Sequence, residues 1–215
     1  MIGSNVQLGK NITWGNNIRV FDNVIIENDV WLGDNIQIGY KEKPNEELTI
    51  IRKGAKIRSG ATIYCGCEIG EGSSVGHNSV IRERTKIGKN SYIGALVMME
   101  GHITVGNYCG INAQCHITAY TTIGDYTFFG PSVVSTNDKK IAYKRKEHGK
   151  NLIGFTTEKY VRIGGAAKLL PGVKLGEGCV IGMGSLIAKN VAPYTLLRGE
   201  ASKITKQILK DKIIK

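Results

Sequence analysis

The sequence is poor in proline, aromatic residues and long apolar runs, and each shortage excludes a class of protein. Pro numbers 4 against 28 Gly, and aromatic residues make up 7% of the chain. There is no apolar run of 18 residues, so no membrane-spanning helix is expected. The first residues, Met-Ile-Gly-Ser-Asn, do not resemble a signal peptide. We therefore expect a cytoplasmic protein, without membrane insertion, that is rich in tight turns.

Positive charge is in excess, with a formal net charge of +11. It is concentrated in Lys139–Lys150, which has six basic residues and one Glu, and in the tail Arg198–Lys215. Aromatic residues are not interleaved with these basic residues, which argues against a surface that stacks nucleic-acid bases. Small phosphorylated ligands fit this charge better. The alternative is solvated charge that only keeps the protein in solution.

Apolar residues recur at every sixth position, which matches neither a helix nor an isolated strand. Fourteen consecutive hexapeptides run from Ile51 to Phe129, and a small residue usually follows each apolar one after four positions. This pattern predicts an all-β fold, a left-handed parallel β-helix over residues 1–194. Three hexapeptides make one triangular coil, so residues 18 apart stack along the axis.

Two interruptions and the tail complete the predicted organisation. Residues 40–49 form one predicted loop. Ser135 breaks the apolar rule and opens a longer loop over residues 136–160, after which the repeat returns at Ile163. Loops of that length inside a domain are usually functional. In the extension 195–215, the spacing of Ile204, Ile208 and Ile213 predicts a short C-terminal α-helix.

Glycine, asparagine and cysteine fall at fixed places in the repeat. Gly often follows the apolar residue and Asn follows two positions later, which predicts turns that need positive φ. The five cysteines are an odd number, and Cys65-Gly-Cys67 lacks the spacing of a zinc or redox pair. Four of them occupy the small-residue position of the repeat. We interpret them as packing residues.

One column of the predicted coils collects polar residues beside the long loop. It contains Arg84, His102, Tyr120 and Asp138, with Arg82, Glu100 and Asn137 in the adjacent columns. The imidazole of His102 can take a proton or hold an acceptor. Asp138 lies two coils from His102, roughly 10 Å at ~4.8 Å per strand. Glu100 can pair with Arg82 or receive an ammonium group, and Asn137 offers an amide to sugar hydroxyls. The alternative for all of these is an ordinary solvated turn residue.

Further candidates for substrate binding surround this column: His77, Arg82, Gln114, His116 and Tyr120. His116 precedes an apolar position, so it is expected to point outward from a flat face, where an interface hydrogen bond is the simpler role. His77 is most simply a turn residue, and His148 in the basic loop is expected to be solvated.

Local motifs resemble a known family, the left-handed β-helix acyltransferases, and in particular the nucleotide-sugar 3-amino-N-acetyltransferases. The motifs are Glu100-Gly-His102, Ile117-Thr-Ala, Ser135-Thr-Asn137-Asp138, Ile163-Gly-Gly-Ala-Ala, Leu170-Pro-Gly, Gly182-Met-Gly-Ser and Asn190-Val-Ala-Pro-Tyr. Two departures are Ser135, where the family usually has Phe, and the absence of Pro at position 201.

The resemblance implies acetyl-CoA as co-substrate, no metal, and a homotrimer with the donor in the groove between subunits. The acceptor would be the amine of a UDP- or dTDP-linked amino sugar for surface polysaccharide, with His102, Glu100, Asn137 and Asp138 as the catalytic group. Residues expected at acetyl-CoA are Ala167, Gly184, Ser185, Lys189 and Lys203. No nucleic-acid partner is expected.

Three other functions remain open from the sequence. An O-acetyltransferase of a sugar or small alcohol would use the same donor. A γ-class carbonic anhydrase shares the solenoid but needs three His on zinc, and the spacings between His77, His102 and His116 are not whole coils. The third is a non-catalytic scaffold. The sequence leaves open the sugar, the nucleotide, the position of the amine, the acyl length and the group that takes the proton.

Overall fold

Short parallel strands, most of them two residues long, occupy the hexapeptides. The computed structural model of the protein describes residues 1–41 and 47–199, which contain 28 strands in three sheets and no helix. Every pairing between strands is parallel, for example β15 Met98–Met99 with β18 His116–Ile117. The chain is a parallel β-solenoid whose hexapeptide repeat fits a left-handed β-helix, which confirms the predicted fold class.

The strands are distributed in turn over sheets I, II and III, so that each strand pairs with the strand one coil away. Sheet I contains β1 Val6–Leu8, β4 Val24–Ile26, β7 Thr49–Ile51, β10 Glu68–Ile69, β13 Lys86–Ile87, β16 Thr104–Val105, β19 Thr122–Ile123, β22 Thr156–Thr157 and β25 Lys174–Leu175. Sheet II contains β2 Thr13–Trp14, β5 Trp31–Leu32, β8 Lys56–Ile57, β11 Ser74–Val75, β14 Tyr92–Ile93, β17 Gly110–Ile111, β20 Phe128–Phe129, β23 Arg162–Ile163, β26 Val180–Ile181 and β28 Leu196–Leu197. Sheet III contains β3 Arg19–Val20, β6 Gln37–Tyr40, β9 Thr62–Tyr64, β12 Val80–Ile81, β15, β18, β21 Val134–Ser135, β24 Lys168–Leu169 and β27 Leu186–Ile187.

The core is a column of aliphatic side chains that meet from the three sheets. In one coil these are Ile69, Val75 and Ile81, each of them fully buried. Burying one such side chain stabilises the fold by about 1.5–3 kcal/mol. Because every coil repeats this arrangement, the stability is spread evenly along the axis.

Small inward side chains fill the corners and satisfy backbone carbonyls of the next coil. The Ser73 hydroxyl donates to the Gly88 carbonyl at 2.7 Å, and the Cys109 thiol to the Gly124 carbonyl at 3.2 Å. All five cysteines are buried and free of disulfides, so the prediction that they pack the core is confirmed. Burial raises the pKa of Cys67 to about 12.

The turns differ in one respect from the sequence expectation. Asn11 and Asn17 have the predicted positive φ, at 56° and 55°. The glycine after the apolar residue serves close approach instead. A Cβ on Gly76 would lie 2.3 Å from the backbone of Gly94 in the next coil. Any side chain there would push the coils apart.

The boundaries of the solenoid also differ from those predicted. Ser135 belongs to β21, so the strand continues through the residue that breaks the apolar rule. The chain rejoins the solenoid at Thr156. The buried side chains of Phe155 and Thr157 fill the part of the core where the repeat would place an aliphatic residue. The long loop is therefore 136–155, and the shorter predicted loop, 40–49, falls between β6 and β7, with residues 42–46 outside the described part. Sheet II extends to Leu197, past residue 194, and the predicted C-terminal helix lies outside the described residues.

Both loops leave the solenoid at the same edge, where sheet III passes into sheet I. We call this edge the III–I corner. The shorter loop connects β6 to β7, and the longer loop connects β21 to β22. The corner turns after β9, β12, β15 and β18 lie between them. The two loops thus bracket one stretch of the III–I corner.

The outer faces of the sheets differ in polarity. Sheet I presents Lys86, Thr104 and Thr122 to solvent. Sheets II and III expose apolar side chains: Tyr92 45%, Phe128 43%, Val134 40%, Val180 41% and Leu186 60%. In residues 1–41 and 47–199 no helix is long and apolar enough to cross a membrane.

Candidate functional site

Two aromatic rings mark the centre of the bracketed corner. His102 and Tyr120 occupy equivalent turn positions one coil apart, with φ of 52° and 65°, and their rings stack at 5.2 Å. The column inferred from the 18-residue spacing is therefore present for this pair. A left-handed conformation costs a residue other than Gly about 1 kcal/mol. His102 is half-buried and Tyr120 is exposed.

A carboxylate and an imidazole pair beside these rings. Glu100 Oε1 lies 2.9 Å from His116 Nε2, and Glu100 Oε2 accepts the Ala119 N–H at 3.2 Å. Since an ionised carboxylate only accepts hydrogen bonds, Nε2 carries the hydrogen and Nδ1 of a neutral ring is left as an acceptor. His116 thus has a hydrogen-bond partner within its own chain. The sequence did not reveal this contact, because the two residues are 16 positions apart and lie in different columns.

Arg82 lies at the next turn of the same corner. Its guanidinium pairs with Glu83 at 3.0 Å and lies over the Tyr64 ring at 5.5 Å. Arg84 pairs with Glu47 at the end of the shorter loop. Both arginines are therefore close to carboxylates on this side of His102.

A buried hydroxyl lies beneath the Glu100–His116 pair. The Ser135 Oγ accepts the Thr118 N–H at 2.9 Å and donates to the His116 carbonyl at 3.2 Å. Ser135 is 2% exposed. The corresponding N–H of Glu100 donates to a backbone carbonyl, that of Ile117. At this turn a side-chain hydroxyl takes the place of the backbone carbonyl partner.

Asp138 and Asn137 organise the base of the long loop. The Asp138 carboxylate accepts the N–H groups of Ala142 and Lys140, each at 2.8 Å. These hydrogen bonds, that of Ala142 first, hold the pKa of Asp138 below its usual range. The Asn137 carbonyl accepts the Ile153 N–H at 2.9 Å, which joins the two ends of the loop. Asp138 is turned into its own loop, which makes it a poor proton acceptor.

The loop is exposed and basic. Lys140 pairs with Glu147, the acidic residue of the basic segment Lys139–Lys150. The other basic side chains stand at the surface: Lys139, Lys144, Arg145, Lys146 and Lys150. Lys139 reaches back towards Gly172 of the following coil. This surface favours an anionic ligand beside the corner.

His77 and Gln114 lie elsewhere. Both are on the edge where sheet II passes into sheet III, which we call the II–III corner. Gln114 has φ 62° and accepts a hydrogen bond from Ser132 at 3.3 Å. Within one chain these two residues are therefore not brought to His102.

The residues expected at acetyl-CoA divide between corners. Ala167 and Ser185 at the II–III corner are 0% and 1% exposed, and the Ser185 hydroxyl accepts the Gly199 N–H at 3.0 Å. Their side chains face the core, so they can offer a ligand only their backbone. Gly184, with φ 68° and open space around it, stands at the same corner. Lys189 is exposed after β27, and Lys203 lies outside the described residues.

The described part of the chain contains no group of three or more His, Cys, Asp or Glu that could hold a metal ion. The three histidines considered as zinc ligands lie in different places: His77 at the II–III corner, His102 at the III–I corner and His116 on the outer face of sheet III.

Two family models match parts of the chain. One is described as bacterial transferase hexapeptide (six repeats) and matches residues 48–83. The other is described as hexapeptide repeat of succinyl-transferase and matches residues 158–189. Both support a relationship to the hexapeptide-repeat acyltransferases.

Curated relatives match only in part. Chloramphenicol acetyltransferase of Morganella morganii is 43% identical over 54 residues, 25% of this chain and 26% of the relative. The enzyme of the same name from Escherichia coli is 44% identical over 54 residues, with the same shares. The chain thus covers about a quarter of the length of the curated relatives it matches.

Solved structures match over nearly the whole chain. UDP-N-acetylglucosamine acyltransferase of Francisella novicida is similar with a TM-score of 0.57 at 15% identity, covering 92% of this chain and 65% of the other. The Arabidopsis enzyme of that name gives 0.50 at 16%, covering 92% and 69%. At such identities the likeness establishes the fold alone.

Proposed function

We propose that the protein is an acetyl-CoA-dependent acyltransferase that N-acetylates the amino group of a UDP- or dTDP-linked amino sugar. One observation carries the proposal: the Glu100–His116 pair and the His102–Tyr120 stack occupy a corner bordered by a basic loop. The hexapeptide-transferase matches and the acetyltransferase relatives support the reaction class. The motifs Glu100-Gly-His102 and Thr136-Asn137-Asp138 favour the nucleotide-sugar acceptor.

The chemistry needs an unprotonated amine, a proton acceptor and an anchor for a charged substrate. Two histidines near the corner, His102 and His116, suit the proton transfer. Lys139, Lys144 and Arg145 suit the diphosphate of the acceptor, since they are exposed beside the corner. The amide of Asn137, at the base of the loop, suits the hydroxyl groups of a sugar.

Donor and acceptor residues lie on different corners of one chain, which favours a site shared between copies. Gly184 is at the II–III corner, whereas His102 is at the III–I corner. A homotrimer in which the apolar faces of sheets II and III meet would cover Phe128, Val134 and Leu186.

The deciding experiment incubates the protein and acetyl-CoA with a panel of acceptors and measures released thiol. The panel contains UDP- and dTDP-linked 3-amino and 4-amino sugars, their hydroxy counterparts, and chloramphenicol. We expect thiol release only with amino sugars, and a product that is heavier by one acetyl group. Release with the hydroxy sugars or with chloramphenicol instead would overturn the acceptor, and no release with any acceptor would favour a scaffold.

A further inference from the structure

We infer that His116, not His102, takes the proton in the acyl transfer, and that Glu100 and Ser135 are its positioning residues. This rests on the proposed function. It is carried by a continuous set of contacts from the core to the outer face of sheet III, in which each residue fixes the next.

The first contact orients the imidazole. Glu100 accepts the Nε2 hydrogen of His116 at 2.9 Å, which fixes the tautomer and leaves Nδ1 as the proton acceptor. A carboxylate partner also stabilises the imidazolium that forms when the proton arrives. His102 contacts the Tyr120 ring instead, with interplanar angle 27°. Among the described residues, the ring contact of His102 is this stacking on Tyr120.

The second contact orients the carboxylate. Glu100 Oε2 accepts the Ala119 N–H at 3.2 Å, so both oxygens of Glu100 have partners on the same strand and turn. The backbone of that turn is set in place by Ser135, whose hydroxyl binds the Thr118 N–H and the His116 carbonyl. The Thr118 hydroxyl lies 3.1 Å from Ser135 Oγ and accompanies it in the core.

Ser135 is a polar residue in the inward-facing column of sheet III, and this departure points to its role. The equivalent positions one and two coils earlier are Ile117 and Met99, and both are buried aliphatic residues. A hydroxyl in this apolar column gives up the hydrophobic stabilisation that a fully buried aliphatic side chain would provide there. In exchange for this loss, the Ser135 hydroxyl fixes the position of the segment from His116 to Ala119. Departures from a local rule of this kind are expected at functional sites.

His116 lies on the outer face of sheet III, which the proposed trimer places at the seam between two copies, so the shared site would include it. Its neighbours in the same column are Met98 and Val134. His116 retains 44% of its side-chain exposure and Glu100 33%. In the step, the acceptor nitrogen bonds to the acetyl carbonyl carbon and the carbon–sulfur bond breaks to release the CoA thiolate. The proton leaves the nitrogen for His116 Nδ1 and then passes to the thiolate, which gives the free thiol and returns neutral His116.

The test uses the full-length protein and the acceptor that gives most thiol release. His116→Gln keeps an N–H donor for Glu100 but removes the base, and we expect kcat to fall by about 10² or more with KM for acetyl-CoA unchanged. His102→Gln is the matched control, and we expect its main effect on KM for the acceptor. A His116→Gln protein with kcat near wild type, or a larger fall in His102→Gln, overturns the inference and leaves the proposed function standing.

Two further measurements separate positioning from folding. Ser135→Ala should lower kcat about tenfold at temperatures well below unfolding, and Ser135→Thr, which retains the hydroxyl, should restore it. Ring ¹⁵N shifts of His116 should report the Nε2–H tautomer in the wild type and a mixture in Glu100→Gln. That spectrum needs no acceptor, so a mixed tautomer in the wild type overturns the pair even if no substrate is turned over.

Discussion

Tyr120 stacks on His102 with their ring centroids 5.2 Å apart, although both residues adopt left-handed turn conformations. Their stacking follows directly from the 18-residue coil, which places equivalent turn positions above one another. The sequence spacing alone is therefore enough to assemble this part of the candidate site.

The first prediction concerns assembly. We expect a trimer of about 70 kDa by light scattering, three times the 23.4 kDa chain. Leu186→Glu on the apolar face of sheet III should release monomers, because it would bury an unpaired charge in the interface. Thr122→Glu, on the polar face of sheet I, is the control and should remain trimeric. A wild-type mass of one chain would exclude the shared site.

The second prediction concerns the donor. Acetyl-CoA binding by calorimetry should weaken as salt is raised, because lysines meet the anionic end of CoA as exposed charges. Lys189→Ala should weaken binding severalfold, whereas Lys86→Ala on sheet I should leave it unchanged. Equal affinity for acetyl-CoA in both variants would remove Lys189 from the donor site.

The third prediction concerns the long loop. Replacing Asn137 and Asp138 by Ala should raise KM for the acceptor and leave acetyl-CoA affinity unaltered, because these residues join the loop ends and bind Lys140 and Ala142. The Asp138 carboxylate is charged at neutral pH. Because its pKa is lowered, the stabilisation from its hydrogen bonds is lost only as the pH falls through the lowered pKa. Asp34→Asn, at a distant turn, is the control. Unchanged acceptor kinetics in the double variant would place the acceptor elsewhere.

The fourth prediction concerns coil spacing. Gly76→Ala should lower the free energy of unfolding by about 1–3 kcal/mol, since its Cβ would meet the backbone of Gly94 at 2.3 Å. Gly110→Ala is matched, because its Cβ would meet only the exposed Phe128 ring at 3.4 Å. It should change stability by less than about 0.5 kcal/mol. Urea denaturation of both variants measures the difference, and equal stabilities would contradict the close-approach role.

The sequence predicts the scaffold well because one short rule is repeated in every coil. An aliphatic residue at every sixth position places Ile81 and Ile117 in the core whatever lies around them. Turn residues are similarly local, as Asn11 and Asn17 show. The predicted boundaries of the solenoid are wrong where residues that do not follow the six-residue pattern fill the core. Thr157 is polar at an apolar position, yet buried Phe155 beside it allows the solenoid to resume there.

The candidate site is less predictable, because its decisive contacts cross between columns. Glu100 lies at a turn and His116 on a strand face, so no fixed spacing relates them. Asp138 follows the column by count, but its carboxylate folds onto its own loop. The sequence predicts that Glu100 pairs with Arg82 or receives an ammonium group, whereas its contact with His116 depends on side-chain direction, which periodicity does not specify. Ser135 was recognised only as an exception to the pattern.

Both loops depart from the III–I corner, and this gives the protein a place to vary. Residues added or removed between β6 and β7, or within 136–155, would alter the surroundings of the III–I corner while the coils keep their stacking. Indels in the other corners would shift every later strand out of register with its neighbours. Related chains that use different acceptors should therefore differ in the number of residues between β6 and β7 and between β21 and β22. Their triangular coils should be the same.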